Sequence, residues 1–201
     1  MITYAVVEIF ASIQGEGLRS GVPATFVRLA GCNLSCPWCD TPAARSMDSA
    51  NQHMSLNALV DKVRHTAMGR YIVLTGGEPT LHPVGALIES LHTAGFTVGI
   101  ETNGTQPLPE TLDWVTLSPK PPDYLLDDVA ATMTDELKMV VDNRLELDIV
   151  RQLWRRVGEQ TPVVLQPESN QANLISRILE WLAQEPRWRL GIQLHKVIGV
   201  R

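Results

Sequence analysis

The chain has 201 residues, of which 44% are hydrophobic and 19% are charged, and its formal net charge at pH 7 is −5. This length and balance predict one globular domain over residues 1–201. The acidic charge and the absence of a basic run argue against direct nucleic-acid binding, and no apolar run is long enough to span a membrane. The first residues lack the pattern of a signal peptide, so we expect a cytoplasmic protein.

Two predicted strands, over residues 4–10 and 24–30, open the chain. The loop between them contains three glycines together with Gln14, Glu16 and Arg19. Such a loop either contacts a ligand or is a solvated surface hairpin. Arg28 interrupts the apolar run of the second strand, so it either faces solvent or binds an anionic ligand through two parallel hydrogen bonds.

The three cysteines of the chain, Cys32, Cys36 and Cys39, follow the second strand within one short loop. An odd number excludes a complete disulfide framework, and three ligands are one fewer than a structural zinc takes. Three thiolates suit a 4Fe-4S cluster that leaves one iron open to a substrate or cofactor. The alternative of scattered buried thiols does not explain why all three share a turn-forming loop.

The remainder of the chain alternates helices with short apolar strands. After a loop over residues 42–54 and a helix capped by Ser55, we predict strands at 71–74, 97–100, 114–117, 136–141, 162–165 and 188–194, and helices at 84–94, 144–157 and 170–183. This alternation indicates an α/β fold with a parallel sheet. The strands are too few for an eight-fold barrel, so we expect a partial (β/α)6-type TIM barrel with some degenerate helices.

Polar motifs follow several predicted strands, where a barrel carries its catalytic rim. They lie at residues 75–79, 101–105, 118–120, 166–169 and 195–196. Each has a plain structural interpretation as well. Thr41 could turn its loop, Lys120 could be a rim charge, Glu101 could pair with a lysine, and His195 at the end of the last strand could be a structural histidine. We interpret the remaining histidines as surface or structural residues: His53, His65, His82 and His92.

The Cys-x-x-x-Cys-x-x-Cys spacing, with Trp38 before the third cysteine, resembles the cluster loop of the radical S-adenosylmethionine (SAM) enzymes. The Gly-Gly-Glu-Pro segment at 76–79 resembles the turn that contacts the SAM amino group in those enzymes. A wider set of motifs is similar in sequence and order to the 7-carboxy-7-deazaguanine synthase family. These motifs lie at residues 8–10, 14–17, 26–29, 31–34, 38–41, 101–105, 118–120, 135–138, 165–169, 193–196 and 199.

The resemblance implies a partial barrel of the radical SAM kind and a lyase that converts 6-carboxy-5,6,7,8-tetrahydropterin to 7-carboxy-7-deazaguanine with release of ammonia. In this family a 5′-deoxyadenosyl radical abstracts a substrate hydrogen, ring contraction follows, and SAM is used catalytically. The product enters 7-deazapurine (queuosine/preQ0) biosynthesis, which serves tRNA modification. The implied cofactors are a 4Fe-4S cluster, SAM and Mg²⁺. The implied partners are the small-molecule pterin, an external one-electron donor such as flavodoxin or ferredoxin, and a second copy in a homodimer.

The resemblance also implies roles for individual residues. Cys32, Cys36 and Cys39 hold the cluster and with it the catalytic chemistry, and Thr41 ligates magnesium. The implied SAM-binding residues are Trp38, Cys39, Asp40, Gly77, Glu78, Ser118, Pro119, Lys120, Gln166, Pro167, Glu168 and Ser169. The implied substrate-binding residues are Ile13, Gln14, Gly15, Glu16, Arg28, Thr75, His195 and Arg201, the last through its terminal carboxylate.

Two other functions remain open from the sequence. A radical SAM activase, which makes a glycyl radical on a partner protein, has a small fold and the same cysteine spacing. A non-enzymatic iron–sulfur or zinc-binding module would use the thiols without SAM. Conversion of the pterin separates the enzyme from the activase, and an iron and sulfide assay identifies the binding module.

Overall fold

A computed structural model describes residues 2–201. Its strands are β1 (Thr3–Ile13), β2 (Pro23–Leu29), β3 (Gln52–Ser55), β4 (Tyr71–Gly76), β5 (Thr97–Thr102), β6 (Trp114–Leu117), β7 (Glu136–Val141), β8 (Val163–Pro167) and β9 (Arg189–Leu190). Its α-helices are α1 (Leu56–Thr66), α2 (Val84–Thr93), α3 (Asp128–Thr132), α4 (Leu147–Val157), α5 (Ile175–Gln184) and α6 (Leu194–Ile198).

The strands of residues 2–201 form one nine-stranded sheet in the order β3-β1-β2-β4-β5-β6-β7-β8-β9. Every neighbouring pair from β2 to β9 is parallel, whereas β1 pairs antiparallel with both β2 and β3. Helices connect most of the parallel strands, as a crossover requires. The predicted α/β fold with a partial barrel is confirmed, and β3 and β9 are its two unjoined edges.

The two faces of the sheet differ in chemistry because side chains alternate along each strand. On β7, Leu137 and Met139 are fully buried in the large hydrophobic cluster with helix residues such as Leu87 and Leu153. Glu136 and Lys138 alternate with them and are also buried. The sheet therefore carries its helices on an apolar face and its charged residues on the opposite, concave face.

A short 3₁₀ turn, Gly17–Arg19, fills the concave side of the sheet. The Arg19 guanidinium lies 4.6 Å from the centroid of the Tyr71 ring and 4.3 Å from that of Trp114. The backbone N–H of Leu18 donates to Glu136 Oε2 at 2.6 Å. These contacts fix the end of the loop that carries Gln14 and Glu16.

Several element bounds differ from the sequence prediction. Residues 42–54 contain two 3₁₀ turns and the start of edge strand β3, because Gln52–Ser55 pair with the beginning of β1. The helix predicted at 170–183 begins at Ile175, after two 3₁₀ turns. The short strand β3 carries too few residues for an alternating pattern to identify it.

The last strand predicted over residues 188–194 is present, but it is much shorter than predicted, and the placement of His195 at its end is wrong. The ladder stops after β9 at Leu190, and His195 lies in helix α6, which ends at Ile198 and is followed by Gly199 with φ of 69°. The strand prediction rested on a short apolar pattern, which does not distinguish a strand from a helix. Hydrogen bonds between Gln193 and neighbouring loops replace those of a longer strand.

Within residues 2–201, none of the helices combines the length and the apolar composition needed to span a membrane.

Candidate active site

One cavity opens at the carboxyl ends of the parallel strands, and its mouth is open to solvent. Most of the residues implied by the sequence line it: Ile13, Gln14, Gly15, Glu16, Arg28, Cys32, Cys36, Trp38, Cys39, Asp40, Thr41, Thr75, Gly77, Ser118, Lys120, Gln166, Glu168, Ser169, His195 and Arg201.

The cysteine loop forms one wall of this cavity, and all three thiols are free. The backbone N–H of Cys32 donates to Arg45 O at 2.9 Å, and that of Cys39 donates to Cys36 O at 3.3 Å. The indole N–H of Trp38 donates to Asp142 Oδ2 at 3.1 Å, which fixes the loop to the end of β7. Burial raises the pKa of the Cys32 and Cys36 thiols.

The donor set of the cavity distinguishes between a single metal ion and a cluster. Within residues 2–201, no three His, Cys, Asp or Glu side chains converge tightly enough to coordinate a single metal ion. Three free thiols on one loop, lining one cavity, are the kind of donor set that suits an iron–sulfur cluster, which takes thiolates through several irons. The residues present therefore fit a cluster and do not form a mononuclear zinc site.

The Gly76-Gly77 turn brings backbone against the cysteine loop. Gly76 has φ of 141°, and a Cβ there would lie 2.0 Å from Leu29 O. A Cβ on Gly77 would lie 2.1 Å from Gly31 O. Only glycine permits this approach, which sets the turn beside the cysteines.

Glu78 corrects an expectation from the sequence. Its side chain is buried outside the cavity lining and accepts hydrogen bonds from Thr102 Oγ1 at 2.8 Å and from the backbone N–H of Asn103 at 2.7 Å. The carboxylate thus joins the ends of β4 and β5 and does not line the cavity. Pro119 and Pro167 are likewise buried beside lining residues without lining the cavity themselves.

A buried cation organises the floor of the cavity. Lys138 Nζ donates to Glu16 Oε2 at 2.5 Å and to Glu101 Oε2 at 2.7 Å. Gln14 Nε2 donates to the other oxygen of Glu101 at 2.8 Å. Burial alone disfavours all three charges, but the Lys138 ammonium holds the pKa of Glu16 below its usual range, and the two carboxylates raise the pKa of Lys138. The floor is therefore an array of carboxylates fixed by one buried ammonium.

Gln193 joins four segments at the edge of this floor. Its Nε2 donates to Glu16 Oε1 at 2.8 Å and to Asp40 Oδ2 at 3.2 Å, while its Oε1 accepts from Lys196 Nζ at 2.8 Å. Its backbone pairs with the side chain of Asn170, which accepts from Gln193 N at 2.9 Å and donates to Gln193 O at 3.2 Å. The loops after β1, β2 and β8 are thereby connected to α6.

His195 packs directly on the loop after β1. A Cβ on Gly15 would lie 2.1 Å from His195 Nδ1, so glycine is required there, and the backbone N–H of Leu194 donates to Gly15 O at 2.8 Å. The Arg201 guanidinium pairs with Glu8 and lies 4.6 Å from the centroid of the Phe10 ring. Both residues thus reach the cavity beside Gly15.

Arg28 and Thr41 meet on the other side of the mouth. Arg28 Nε donates to Glu8 Oε1 at 2.8 Å, and its Nη1 donates to Thr41 Oγ1 at 3.3 Å. Thr41 Oγ1 in turn donates to Asp40 Oδ1 at 3.2 Å. An alcohol oxygen, a carboxylate and a guanidinium therefore converge, which suits a cation and an anion bound together.

The far wall carries a second cation and an unpaired acceptor. Lys120 Nζ donates to Ser118 O at 2.7 Å and lies 5.7 Å from the centroid of the Trp38 ring. Burial and the nearby Lys138 charge lower the pKa of Lys120 to about 8. Gln166 Oε1 is buried without a hydrogen-bond partner among residues 2–201. Since such an atom is costly to leave unpaired, it indicates a ligand donor at this wall.

Several residues that line the cavity received no individual role from the sequence. These are Arg45, Asn103, Lys138, Gln193 and Lys196. Glu101 also lines the cavity, and it pairs with Lys138, in agreement with the interpretation that Glu101 is the partner of a lysine. A charged residue inside a buried strand was the available signal for Lys138. Gln193 lay within the family-like motif at 193–196, but its contacts could not be predicted because its partners lie far away in the sequence.

Comparisons with known proteins agree with this geometry. The Radical SAM superfamily model matches residues 27–124. A 7-carboxy-7-deazaguanine synthase from Bacteroides thetaiotaomicron is 40% identical over 96% of this chain and 97% of its own length. One from Synechocystis sp. is 35% identical over 100% of this chain and 95% of its own length. A crystal structure of QueE from Escherichia coli has a TM-score of 0.82 and 30% identity, covering 96% of this chain and 95% of that chain.

Proposed function

The chain belongs to the 7-carboxy-7-deazaguanine synthase family of radical SAM enzymes, and on that premise we propose that it converts 6-carboxy-5,6,7,8-tetrahydropterin to 7-carboxy-7-deazaguanine with release of ammonia. It is an enzyme of 7-deazapurine biosynthesis and a lyase. The observation that carries the proposal is that one cavity joins three free thiols to a floor of carboxylates and amides. We further propose that the product serves queuosine and preQ0 formation.

Cys32, Cys36 and Cys39 would hold the 4Fe-4S cluster. When bound, the reduced cluster supplies the electron that cleaves SAM to the 5′-deoxyadenosyl radical, which abstracts a substrate hydrogen. The protein's part is to place the two ligands and to exclude water from them. The sequence contains no fourth cysteine to coordinate the remaining iron, so one iron would stay available to SAM.

SAM is proposed to lie between the cysteine loop and the ends of β6 and β8. The carbonyl groups of the Gly76-Gly77 turn would accept from its ammonium. Lys120 would meet its carboxylate, and the unpaired Gln166 Oε1 would accept from an amino or hydroxyl group. The remaining lining residues of this side are Trp38, Asp40, Ser118, Glu168 and Ser169.

The pterin is proposed to lie over the Lys138 floor. Glu16, Glu101 and the backbone beside Gln14 present acceptors to the N–H groups of its pyrimidinone edge. Arg28 would bind its carboxylate, and Thr41 would supply one oxygen to a magnesium ion that the same carboxylate completes. Ile13, Gly15, Thr75, His195 and Arg201 would enclose the ring from the sides.

Four further properties belong to the proposal. An external one-electron donor such as a flavodoxin or ferredoxin would reduce the cluster. SAM would be regenerated in each turnover, and the enzyme would act as a homodimer. Three free thiols available for iron suit a reducing compartment, so we place the enzyme in the cytoplasm.

The test is an anaerobic incubation of iron-reconstituted protein with SAM, a reductant and the carboxytetrahydropterin, read by mass spectrometry. The deazaguanine is expected only with all components present, and tetrahydropterin lacking the carboxylate is the matched control. SAM cleavage that ignores the pterin would support the activase alternative. Bound zinc without iron or sulfide would support the non-enzymatic binding module.

A further inference from the structure

Arg45 holds the cysteine loop at two points. Its backbone oxygen accepts from Cys32 N at 2.9 Å, immediately after the 3₁₀ turn Pro42–Ala44. Its guanidinium Nη2 donates to the carbonyl oxygen of Cys36. One residue thereby fixes the backbone at two of the three proposed cluster ligands.

The guanidinium also places a positive charge inside the site. Arg45 lines the cavity with the three cysteines, and its Nε is buried without a hydrogen-bond partner among residues 2–201. A buried N–H donor left unpaired indicates an acceptor that the protein itself does not supply. An iron–sulfur cluster, with its anionic thiolates and sulfides, is an acceptor of the required charge at that place.

We propose that Arg45 is a positioning residue that braces the cysteine loop and raises the reduction potential of the cluster. Reduction adds one negative charge to the cluster. A nearby cation in a poorly solvated cavity stabilises this charge more than it stabilises the oxidised state. The proposal rests on the proposed cluster and is independent of the pterin.

The test is a redox titration of anaerobically reconstituted protein, followed by electron paramagnetic resonance without SAM or substrate. In Arg45→Met, the ratio of reduced to oxidised cluster at the wild-type midpoint is expected to fall about tenfold, equivalent to about 59 mV for a one-electron couple. Arg45→Lys retains the charge and is expected to stay near the wild-type potential. A failed pterin assay leaves this readout intact, so the two proposals fail separately.

The matched control is Arg144→Met, which removes an exposed arginine beside the outer side of the same loop. Water screens that charge, so the potential is expected to remain unchanged. An unchanged potential in Arg45→Met overturns the proposal, as does an equal shift in Arg45→Lys or in Arg144→Met. If Arg45→Met does not retain iron, iron content decides: Arg45→Lys must load to the wild-type level, and a comparable loss there overturns the proposal.

Discussion

At the scale of single residues, Lys138 determines the charge of the cavity floor. Its side chain is 4% exposed and contacts two carboxylates that are 14% and 21% exposed. Both carboxylates are mostly buried, so the ammonium is their nearest counter-charge. The ion pair with Lys138 therefore keeps the pKa of Glu16 low where the pterin is proposed to bind.

Replacing Lys138 by Met is expected to lower the free energy of unfolding by about 3–5 kcal/mol near neutral pH, since two buried carboxylates lose their partner. In the wild type the lowered pKa of Glu16 gives stability above the carboxylate's unfolded pKa and loses it as pH falls toward the folded value. In the variant, burial favours the protonated form. The deficit should therefore shrink as the pH falls from about 8 to about 5.

Urea unfolding at several pH values measures this difference. Lys62→Met, which removes an exposed lysine of α1, is the control and should stay near the wild type at every pH. A Lys138→Met deficit that does not change with pH would show that the lost stability comes from packing and not from unpaired carboxylates.

Thr41 tests the proposed magnesium position. Thr41→Ala removes the hydroxyl between Arg28 and Asp40, so the magnesium concentration needed for half-maximal pterin turnover should rise roughly tenfold or more. Iron content should stay unchanged, because Thr41 lies outside the cysteine set. Thr41→Ser keeps the oxygen and should restore the wild-type magnesium dependence; equal behaviour of the two variants would remove Thr41 from the metal site.

At the scale of elements, α6 closes the site through Gln193. From the sequence we predicted that His195 contributes to the site but assigned the preceding segment to a strand, because Leu190 to Leu194 carries a mixed apolar and polar pattern. The bonds that decide the conformation join Gln193 to Asn170, Glu16 and Asp40, which are 23, 177 and 153 residues away. Local pattern carries no information on partners at such separations.

Gln193→Ala is expected to lower kcat/KM for the pterin by about tenfold or more, because hydrogen bonds to charged acceptors are worth about 1.5–3 kcal/mol each. The loss should appear mainly as a raised KM, since Glu16 and α6 lose a shared partner beside the ring. SAM affinity without pterin should change little. Gln184→Ala at the exposed end of α5 is the control, and an unchanged KM in Gln193→Ala would contradict the positioning role.

Other elements were predictable because their determinants are local. Strand β7 was predicted with its observed bounds, and the start of α2 at Val84 was also correct. Burial on both faces of β7 and the apolar spacing of α2 act within a few positions of the chain. The edge strand β3 and the 3₁₀ turn at Gly17–Arg19 were not predicted, since both depend on distant partners.

At the scale of the whole molecule, parallel strands bring their carboxyl ends to one rim, and this explains how motifs spread from residue 13 to residue 201 share a cavity. The three-cysteine spacing and the order of the polar motifs made the family recognisable in the sequence. The ion pairs below the ligands were not recognisable, because they depend on which strands become neighbours.

The most direct test of the whole account measures product and ammonia together in one anaerobic reaction with limiting SAM. The account predicts equal amounts of 7-carboxy-7-deazaguanine and ammonia, exceeding the SAM supplied, and neither product with Cys36→Ala. Iron-loaded protein that cleaves SAM to 5′-deoxyadenosine while the carboxytetrahydropterin remains unchanged would contradict it.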